Sequence, residues 1–483
     1  MSLKSKTISG VAWNGLGNVA RQGLMIITLI VMARYLSPDD FGVFSILMIF
    51  VSFMNIFSSM GTSQAVIHID EPSHCMLSSI FYFNVAMGFA MFGLLFLLSW
   101  PIAEFFNNPE LIDLLQIIGS VFILTTVSLV HKALLEKDMQ FKRVIKIETF
   151  ALTLSSLIGI VSAIIGYGVY SFILMALTNA LLLTLGLWLG SQWRPGLVFS
   201  VADIKKVWSY SINLTGSTVI NYFARQSDHF LIGKFLGSGA LGLYSVAYKI
   251  MLYPLENVSR VIIRVLFPAF SELKHDNKRF KQAYIKAITY IALITFPLMG
   301  GVFAVADHFV SVVFGDKWTQ MTMILMILVP IGLMQSIVTT VGSIYMAKGT
   351  TGLMFKVGLV NSIVTVISFL IGVLYGLEGI AIAYAIANLV MLYPNLKICW
   401  QQIDLGIIEG LSKLLPFFIS SVLMSICVYL LGLWMSSQQI SEILLLIIQI
   451  IAGVVIYVAF VILLYKQMFF DLIRNLRLKN STI

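Results

Sequence analysis

The stretch LGLYSVAYKIMLYPLENVSRVIIRVLFPAFSEL, residues 241–273, is apolar and long enough to cross a bilayer, yet besides Glu272 at its end it contains four charged side chains. They are Lys249, Glu256, Arg260 and Arg264. At about 100° per residue these positions fall within an arc of roughly 80° on one helix face, which Pro254 is expected to kink. A charge at the centre of a membrane helix costs about 2.5 to 3.5 kcal/mol, so such residues normally face a partner or a water-filled cavity. The stretch therefore predicts a membrane helix that borders a cavity.

The composition of the whole chain is that of a membrane protein. Of the 483 residues, 59% are hydrophobic and only 11% are charged. The mean hydropathy of +0.95 excludes a soluble globular protein of ordinary composition. Apolar runs of about 20 residues, the length of a transmembrane helix, recur along the sequence. They predict an all-α polytopic membrane protein with about fourteen transmembrane helices, at 11–35, 41–61, 77–101, 111–130, 147–165, 169–189, 208–235, 241–270, 284–306, 321–347, 355–374, 380–398, 415–435 and 443–465.

Positive charges predict the orientation of the chain in the membrane. With a cytoplasmic N-terminus, and with residues at the ends of spans assigned to the side that they border, 23 of the 31 Lys and Arg residues lie on the cytoplasmic side, three lie on the opposite side and five lie inside spans. Cytoplasmic loops carry such an excess of Lys and Arg, so both termini are predicted to be cytoplasmic. The net charge of +9 then reflects topology and does not indicate nucleic-acid binding. The N-terminus lacks a small-residue cleavage site, which predicts that the first helix is retained.

Two segments some 200 residues apart align without gaps. They are ARYLSPDDFGVFSI at 33–46 and GKFLGSGALGLYSV at 233–246. The tripeptide Ala-Arg-Gln also occurs upstream of each segment, at 20–22 and 224–226. Repeats with an even number of helices insert in the same orientation. The sequence therefore predicts two parallel repeats of six helices each, followed by two additional helices.

The repeat predicts three parts of the chain. An N-lobe with helices one to six occupies 1–195, a C-lobe with helices seven to twelve occupies 196–405, and helices thirteen and fourteen with a cytoplasmic tail occupy 406–483. Transporters of this construction bind their substrate between the halves. The alternative is that the repeat only reflects an ancestral duplication and that the interface between the halves is dry and binds no substrate. The charges in helices one, seven and eight favour the substrate site, because a dry interface does not tolerate them.

Several short motifs in combination resemble a known family. They are LSPDDFGVFSI after helix one, the basic ALLEKDMQFKRV between helices four and five, PAFSEL at the end of helix eight, and the plan of six, six and two helices. The chain resembles the polysaccharide transporter branch of the multidrug/oligosaccharidyl-lipid/polysaccharide exporter superfamily, which includes Wzx-type flippases for O-antigen, colanic acid and other exopolysaccharide repeat units.

The resemblance implies a transport function in the bacterial cytoplasmic (inner) membrane. The implied cargo is an undecaprenyl-diphosphate-linked oligosaccharide, translocated from the cytoplasmic to the periplasmic leaflet by alternating access. The implied partners are this polyprenyl-diphosphate-linked oligosaccharide, membrane lipids, and a polysaccharide polymerase and chain-length regulator.

Charged residues within the predicted spans are the candidates for binding this cargo. In the interior of helices one, seven and eight, five cations, Arg21, Arg225, Lys249, Arg260 and Arg264, outnumber the two acids Asp228 and Glu256. A cationic cavity complements a diphosphate, because arginine binds phosphate oxygens through its planar fork and lysine acts as a point charge.

Each assignment has a structural alternative. Arg21 and Arg225 could instead be buried in pairs with a carbonyl or with Asp228. Arg260 could form an i, i+4 pair with Glu256, and Arg264 could extend to the lipid headgroups. Asp228 and Glu256 are either proton or sodium coupling sites or neutralise neighbouring arginines.

Polar residues of helix two are a second candidate group. Asn55, Ser59 and Gln64 are possible contacts for sugar hydroxyls, although packing between helices is the favoured interpretation. The three cysteines show no metal or disulfide spacing, and the sequence has no P-loop, dinucleotide or HExxH motif. We expect no catalytic residues, no metal site and no cofactor.

Other functions remain open at this point. A multidrug cation antiporter of the same architecture is expected to carry acidic rather than basic residues in its spans. A lipid II flippase fits, because its cargo is also a polyprenyl diphosphate. A polysaccharide polymerase or ligase usually needs a sizeable extracytoplasmic loop, whereas the outer loops predicted here are short. A scaffold for a synthesis complex does not require the interior charges. We expect a transporter and not an enzyme.

Overall fold

A computed structural model describes residues 3–59, 62–69, 71–205, 222, 225–438 and 440–479. Within these ranges the regular structure is helical and contains no strand. Ten segments of this described part are long and apolar enough to cross a membrane, and one of them, Thr351–Ile403, contains two helices. The prediction of an all-α polytopic membrane protein is confirmed, while the count of fourteen helices stays a prediction. Predicted span seven lies largely outside the described residues.

The chain forms two compact units, Met1–Gly242 and Leu243–Ile483. The helices of the first unit are α1 Leu3–Tyr35, α2 Pro38–Ser59, α3 Thr62–His68, α4 His74–Phe106, α5 Leu111–Thr126, α6 Leu129–Lys137, α7 Phe141–Ile165 and α8 Tyr170–Gly190. A further helix, α9, covers residues 225–235, and α10, Gly237–Pro254, begins in this unit.

The second unit continues from α10. Its helices are α11 Arg260–Glu272, α12 Asn277–Ala304, α13 Ala306–Val313, α14 Met321–Val338, α15 Val341–Lys348, α16 Thr351–Gly372, α17 Gly376–Trp400, α18 Ile407–Ser436 and α19 Glu442–Lys479. The predicted boundaries at 195 and 405 remain predictions.

Each unit packs corresponding helices in the same pairs. In the first unit α4 packs on α5, α5 on α8, and α7 on α8. In the second unit α12 packs on α14, α14 on α17, and α16 on α17. These are spans three to six and their counterparts nine to twelve. The two additional helices, α18 and α19, pack on each other and on α12. The internal packing of each unit therefore agrees with the predicted repeat.

The span that follows α4 and the span that follows α13 are each interrupted near one end. The first breaks between Thr126 and Leu129, and the second breaks between Val338 and Val341. Hydroxyl groups add hydrogen bonds at the breaks. Ser128 Oγ donates to the Thr125 carbonyl at 2.8 Å, and Thr340 Oγ1 donates to the Ile337 carbonyl at 2.7 Å. Interrupted helices in corresponding positions often mark the binding site of a transporter.

The tripeptide Thr-Thr-Val overlaps both breaks, at 125–127 and 339–341. The second break is fixed by the core of its unit. The hydroxyl of Tyr284, a completely buried residue on α12, lies 2.7 Å from Thr340 Oγ1. The same hydroxyl accepts a hydrogen bond of 3.1 Å from the buried Trp400 Nε1 on α17. Three helices thereby hold the break in place.

Candidate functional site

The charged stretch of the sequence is not one regular helix. After Pro254 at the end of α10, residues Leu255–Ser259 form a π-helical turn, in which the Arg260 N–H donates to the Leu255 carbonyl. Proline cannot donate a backbone hydrogen bond and its ring disturbs the turn before it, so Pro254 interrupts the regular helix immediately before the π-helical turn. π-Helical turns occur frequently at functional sites. The arc predicted for an unbroken helix is therefore corrected, because the π-helical turn changes the angular positions of Arg260 and Arg264 relative to Lys249.

A cavity of about 320 Å³ lies beside the π-helical turn and α11. We call it the arginine pocket. It is lined on one side by the π-helical turn and α11 and on the other by the break after α14 and by α15. Its lining residues are Ser259, Arg260, Ile263, Arg264, Phe267, Thr339 and Met346. Arg260 and Arg264 are one helical turn apart and thus project from the same face of α11. Thr339 lies in the break between α14 and α15.

The charges in the arginine pocket are partly compensated. Arg260 Nη1 donates to Glu256 Oε1 at 3.1 Å, and both side chains are about half exposed. Arg264 has no carboxylate within 4.0 Å among the described residues. The i, i+4 pair expected as an alternative for Arg260 thus forms, and Arg264 is the cation of the pocket that remains available to a ligand.

The pocket also contains an unused hydroxyl. Ser259 is only 1% exposed, and its Oγ forms no hydrogen bond with any described residue. A buried polar group without a partner costs about 1 to 3 kcal/mol. A ligand that accepts this hydrogen bond would remove that cost.

The arginine pocket has the chemistry of an anion site. Its two guanidinium groups supply several N–H donors, and Ser259 supplies a hydroxyl that has no partner among the described residues. Phosphate oxygens accept such bonds, and arginine matches their geometry through paired N–H groups. The apolar Ile263 and Phe267 beside them reduce competition from water, which strengthens each polar contact. The arrangement suits a phosphate or diphosphate group.

In the first unit, Arg21 belongs to a different ionic cluster. Its Nη1 donates to Glu148 Oε2 on α7, and its Nη2 donates to Asn18 Oδ1 at 2.6 Å. Glu148 Oε1 also accepts a bond of 2.7 Å from Lys132 Nζ on α6. Two cations therefore share one carboxylate, next to the break between α5 and α6. The partner of Arg21 is Glu148 rather than the carbonyl or Asp228 considered from the sequence.

The residues Glu148, Lys132, Ser259 and Thr339 are not marked as site residues by the sequence pattern. For Glu148 one signal is present, since it is the only acidic residue within the predicted span 147–165. For Thr339 the signal is the repeated Thr-Thr-Val at the two breaks. Ser259 has no signal of its own, because its importance follows from burial.

The other predicted site residues lie in separate places. Lys249 is exposed on α10, Arg225 is exposed at the start of α9, and Asn55 is exposed on α2. Asp228 is buried and accepts a 2.8 Å hydrogen bond from the backbone N–H of His229. The side chains of Ser59 and Gln64 lie outside the described part of the chain. Of the predicted residues, the structure brings Arg260, Arg264 and Glu256 together. Among the described residues, no group of His, Cys, Asp and Glu could hold a metal ion.

Known proteins with similar sequences act, by their names, in polysaccharide biosynthesis. The chain is 29% identical over 449 residues to the lipopolysaccharide biosynthesis protein WzxC of Escherichia coli (strain K12), covering 91% of this chain and 90% of WzxC. It is 28% identical over 318 residues to the succinoglycan biosynthesis transport protein ExoT of Rhizobium meliloti (strain 1021), covering 66% and 64%.

Among solved structures, the lipid II flippase MurJ in an inward closed conformation has a similar fold. The TM-score is 0.76 at 17% identity, and the match covers 96% of this chain and 100% of MurJ. The family described as polysaccharide biosynthesis protein matches residues 31–323, which is more than half of the sequence. The chain therefore belongs to the polysaccharide biosynthesis protein family.

Proposed function

We propose that this chain is a flippase for undecaprenyl-diphosphate-linked polysaccharide repeat units, moving them from the cytoplasmic to the periplasmic leaflet of the bacterial cytoplasmic membrane. The observation that carries the proposal is the arginine pocket, with Arg260, Arg264 and the unpartnered hydroxyl of Ser259, in a multi-pass membrane protein. Membership of the polysaccharide biosynthesis family supports a cargo of this class. The name of ExoT, a transport protein of succinoglycan biosynthesis, supports transport as the activity.

The main physical obstacle to flipping is the diphosphate. Moving one small ion from water to an apolar medium costs of order 20 kcal/mol in the idealised case. A pocket of guanidinium and hydroxyl groups replaces the water around the phosphate oxygens and offsets this cost. The polyprenyl tail stays in the hydrocarbon of the bilayer. In alternating access, the pocket opens first to the cytoplasmic side and then to the periplasmic side.

Glu256 is our candidate for coupling transport to an ion gradient. Its carboxylate is paired with Arg260 at 3.1 Å, so it competes with an anionic ligand for this guanidinium. Protonation of Glu256, or binding of sodium to it, would release Arg260 to the diphosphate. Loss of that proton or sodium ion on the other side would favour release of the cargo. Asp228 and the remaining predicted cations Arg21, Arg225 and Lys249 stay candidates for the cargo path.

We extend the proposal to the orientation of the protein in the membrane and to its partners. Both termini are cytoplasmic, as the distribution of Lys and Arg predicts. The chain acts as a transporter without catalytic residues and delivers its cargo to a polysaccharide polymerase and chain-length regulator in the periplasm.

A deletion strain profiled for lipid-linked oligosaccharides tests this function. Accumulation of the complete repeat unit in the cytoplasmic leaflet is the expected result. Accumulation in the periplasmic leaflet would instead identify a polymerase or ligase, and accumulation of lipid II would identify a peptidoglycan precursor flippase. Expression of the wild-type chain should restore surface polysaccharide, whereas the Arg260→Ala, Arg264→Ala double variant should not.

A further inference from the structure

A second polar cluster lies in the second unit, outside the arginine pocket. Gln335 Nε2 on α14 donates to the Tyr384 hydroxyl at 2.6 Å and to Asn388 Oδ1 at 3.1 Å, both on α17. The Tyr248 hydroxyl on α10 is 3.4 Å from the Tyr384 hydroxyl. The rings of Tyr244 and Tyr248 are stacked with their centroids 5.6 Å apart. Three helices thus supply amide, hydroxyl and aromatic groups to one place.

The depth of this cluster in the membrane restricts what it can face. Gln335 is near the middle of the span Met321–Lys348, and Asn388 is near the middle of α17, Gly376–Trp400. Both amides are only half-buried. Exposed polar groups cost several kcal/mol in hydrocarbon and therefore line protein or water-filled space. The exposed part of the cluster must face a space that admits water or a polar ligand.

The hydrogen-bonding groups of the cluster are not all paired between the helices, in contrast to another amide pair of the same unit. Asn361 and Asn395 donate to each other's carbonyl oxygens at 2.9 and 3.2 Å, which closes that pair. Gln335 differs, because no described residue donates a hydrogen bond to its Oε1. One amide acceptor of the cluster therefore remains open to a ligand.

The cluster adjoins the arginine pocket along α14. Thr339, which lines the pocket, donates its backbone N–H to the Gln335 carbonyl at 2.9 Å. The two residues are one helical turn apart, about 6 Å along the helix axis. In a glycosylated polyprenyl diphosphate, the first sugar is bonded directly to the phosphate. A phosphate in the pocket therefore places that sugar within reach of the cluster.

We propose that Gln335, Tyr384, Asn388 and Tyr248 form a subsite for the sugar bonded directly to the diphosphate of the cargo. The ligand class is a neutral hexose or N-acetylhexosamine, whose hydroxyls bond to the amides and tyrosine hydroxyls while an apolar C–H face packs on a tyrosine ring. Sites that bind a hydroxyl through hydrogen bonds reject ligands that lack it. This inference rests on the proposed function and assigns specificity to residues distinct from those that bind the diphosphate.

Binding measurements with purified full-length protein in nanodiscs test the subsite. The probes are bare undecaprenyl diphosphate and the same lipid carrying glucose, galactose or N-acetylglucosamine. We expect the wild type to bind at least one glycosylated probe more tightly than the bare lipid, by about threefold or more. The Gln335→Met, Asn388→Leu double variant keeps the shape of both side chains but removes their amides. It should lose this preference and retain its affinity for the bare lipid.

Single tyrosine variants provide a milder test with a matched control. Tyr248→Phe should reduce but not abolish the preference for the glycosylated probe, because it removes one of several hydrogen-bonding groups of the subsite. Tyr253→Phe is the control, because Tyr253 is on the same helix and its hydroxyl bonds to no described residue. It should leave the preference unchanged.

The outcomes separate the subsite from the proposed function. Equal binding of bare and glycosylated lipids by the wild type would overturn the subsite, and so would a preference that survives the double variant. The proposed function would still stand in both cases. Failure of the wild type to bind any of the four lipids would contradict the proposed function and the subsite together. Binding of the bare lipid by each variant shows that the variant is folded.

Discussion

Gly42 and Gly242 form a reciprocal contact in the first unit. A Cβ on Gly42 would overlap the carbonyl group of Ser238, and a Cβ on Gly242 would overlap the carbonyl group of Pro38. Each glycine thus faces the carbonyl that lies four residues before the other glycine. The Ser238 hydroxyl also donates to the Asp39 carboxylate. The two copies of the repeated segment touch through these positions, and only glycine allows the approach.

The first prediction concerns this contact. Gly42→Ala and Gly242→Ala should each destabilise the protein by about 1 to 3 kcal/mol, because the added methyl group meets backbone that cannot move away. Thermal unfolding in detergent measures the effect. Gly93→Ala on α4 is the control, since a Cβ there meets no atom within 4 Å. Equal stability of Gly42→Ala and Gly93→Ala would refute the close contact.

The second prediction concerns Arg264. Arg264→Ala should weaken binding of undecaprenyl diphosphate by about tenfold to a hundredfold, because hydrogen bonds to charged groups contribute about 1.5 to 3 kcal/mol. Arg264→Lys should fall between wild type and alanine, since lysine keeps the charge without the fork. Arg279→Ala is a suitable control, because Arg279 is an exposed arginine paired with Asp276. Wild-type affinity in Arg264→Ala would remove this residue from the site.

The third prediction concerns the hydroxyl of Ser259. Ser259→Ala should leave thermal stability unchanged or slightly increased, because the lost hydroxyl has no partner among the described residues. The same change should weaken binding of undecaprenyl diphosphate by about threefold to tenfold, the effect of one hydrogen bond. Both values come from the same protein, by thermal unfolding and by lipid titration. A large loss of stability with unchanged affinity would indicate a structural role instead.

The fourth prediction concerns Arg21 and Glu148. Arg21→Ala leaves Glu148 with Lys132 alone and should destabilise the protein by about 1 to 3 kcal/mol, since the Arg21 and Glu148 side chains are only 23% and 18% exposed. Glu148→Gln should cost at least as much, because it leaves both Arg21 and Lys132 without this carboxylate, and the double variant Arg21→Ala, Glu148→Gln completes the set. A double-mutant cycle on unfolding measures the coupling, for which we expect about 0.5 to 3 kcal/mol. Strictly additive effects would show that the pair does not stabilise the unit.

The membrane spans and the repeat could be predicted from the sequence, because each leaves a direct pattern in it. A transmembrane helix must be apolar over about 20 residues whatever it packs against. The aligned segments at 33–46 and 233–246 likewise record the repeat directly. Gly42 and Gly242 occupy equal positions in that alignment, and the structure gives the reason that both are glycine.

Other features could not be predicted, because they depend on tertiary contacts that no local sequence pattern indicates. Glu148 is 127 residues from Arg21, so its choice as partner follows from how α1, α6 and α7 pack. Pro254 predicted a kink, but not that the next turn is π-helical and buries the Ser259 hydroxyl. The breaks at 127–128 and 339–340 contain no proline to announce them. Thr-Thr-Val marks both breaks, but the tripeptide is informative only once the breaks are known.

The central claim is that the chain flips a lipid-linked diphosphate by means of the arginine pocket, and a transbilayer assay tests it most directly. Purified protein is reconstituted in liposomes with fluorescent undecaprenyl-diphosphate oligosaccharide, under imposed proton and sodium gradients. A membrane-impermeant quencher then reports the fraction of lipid in the outer leaflet over time. We predict that wild-type protein and Arg279→Ala make the inner-leaflet lipid accessible, whereas Arg260→Ala, Arg264→Ala protein leaves it protected, as in empty liposomes. Equal accessibility with wild type and the double variant, or with wild type and empty liposomes, would contradict the claim.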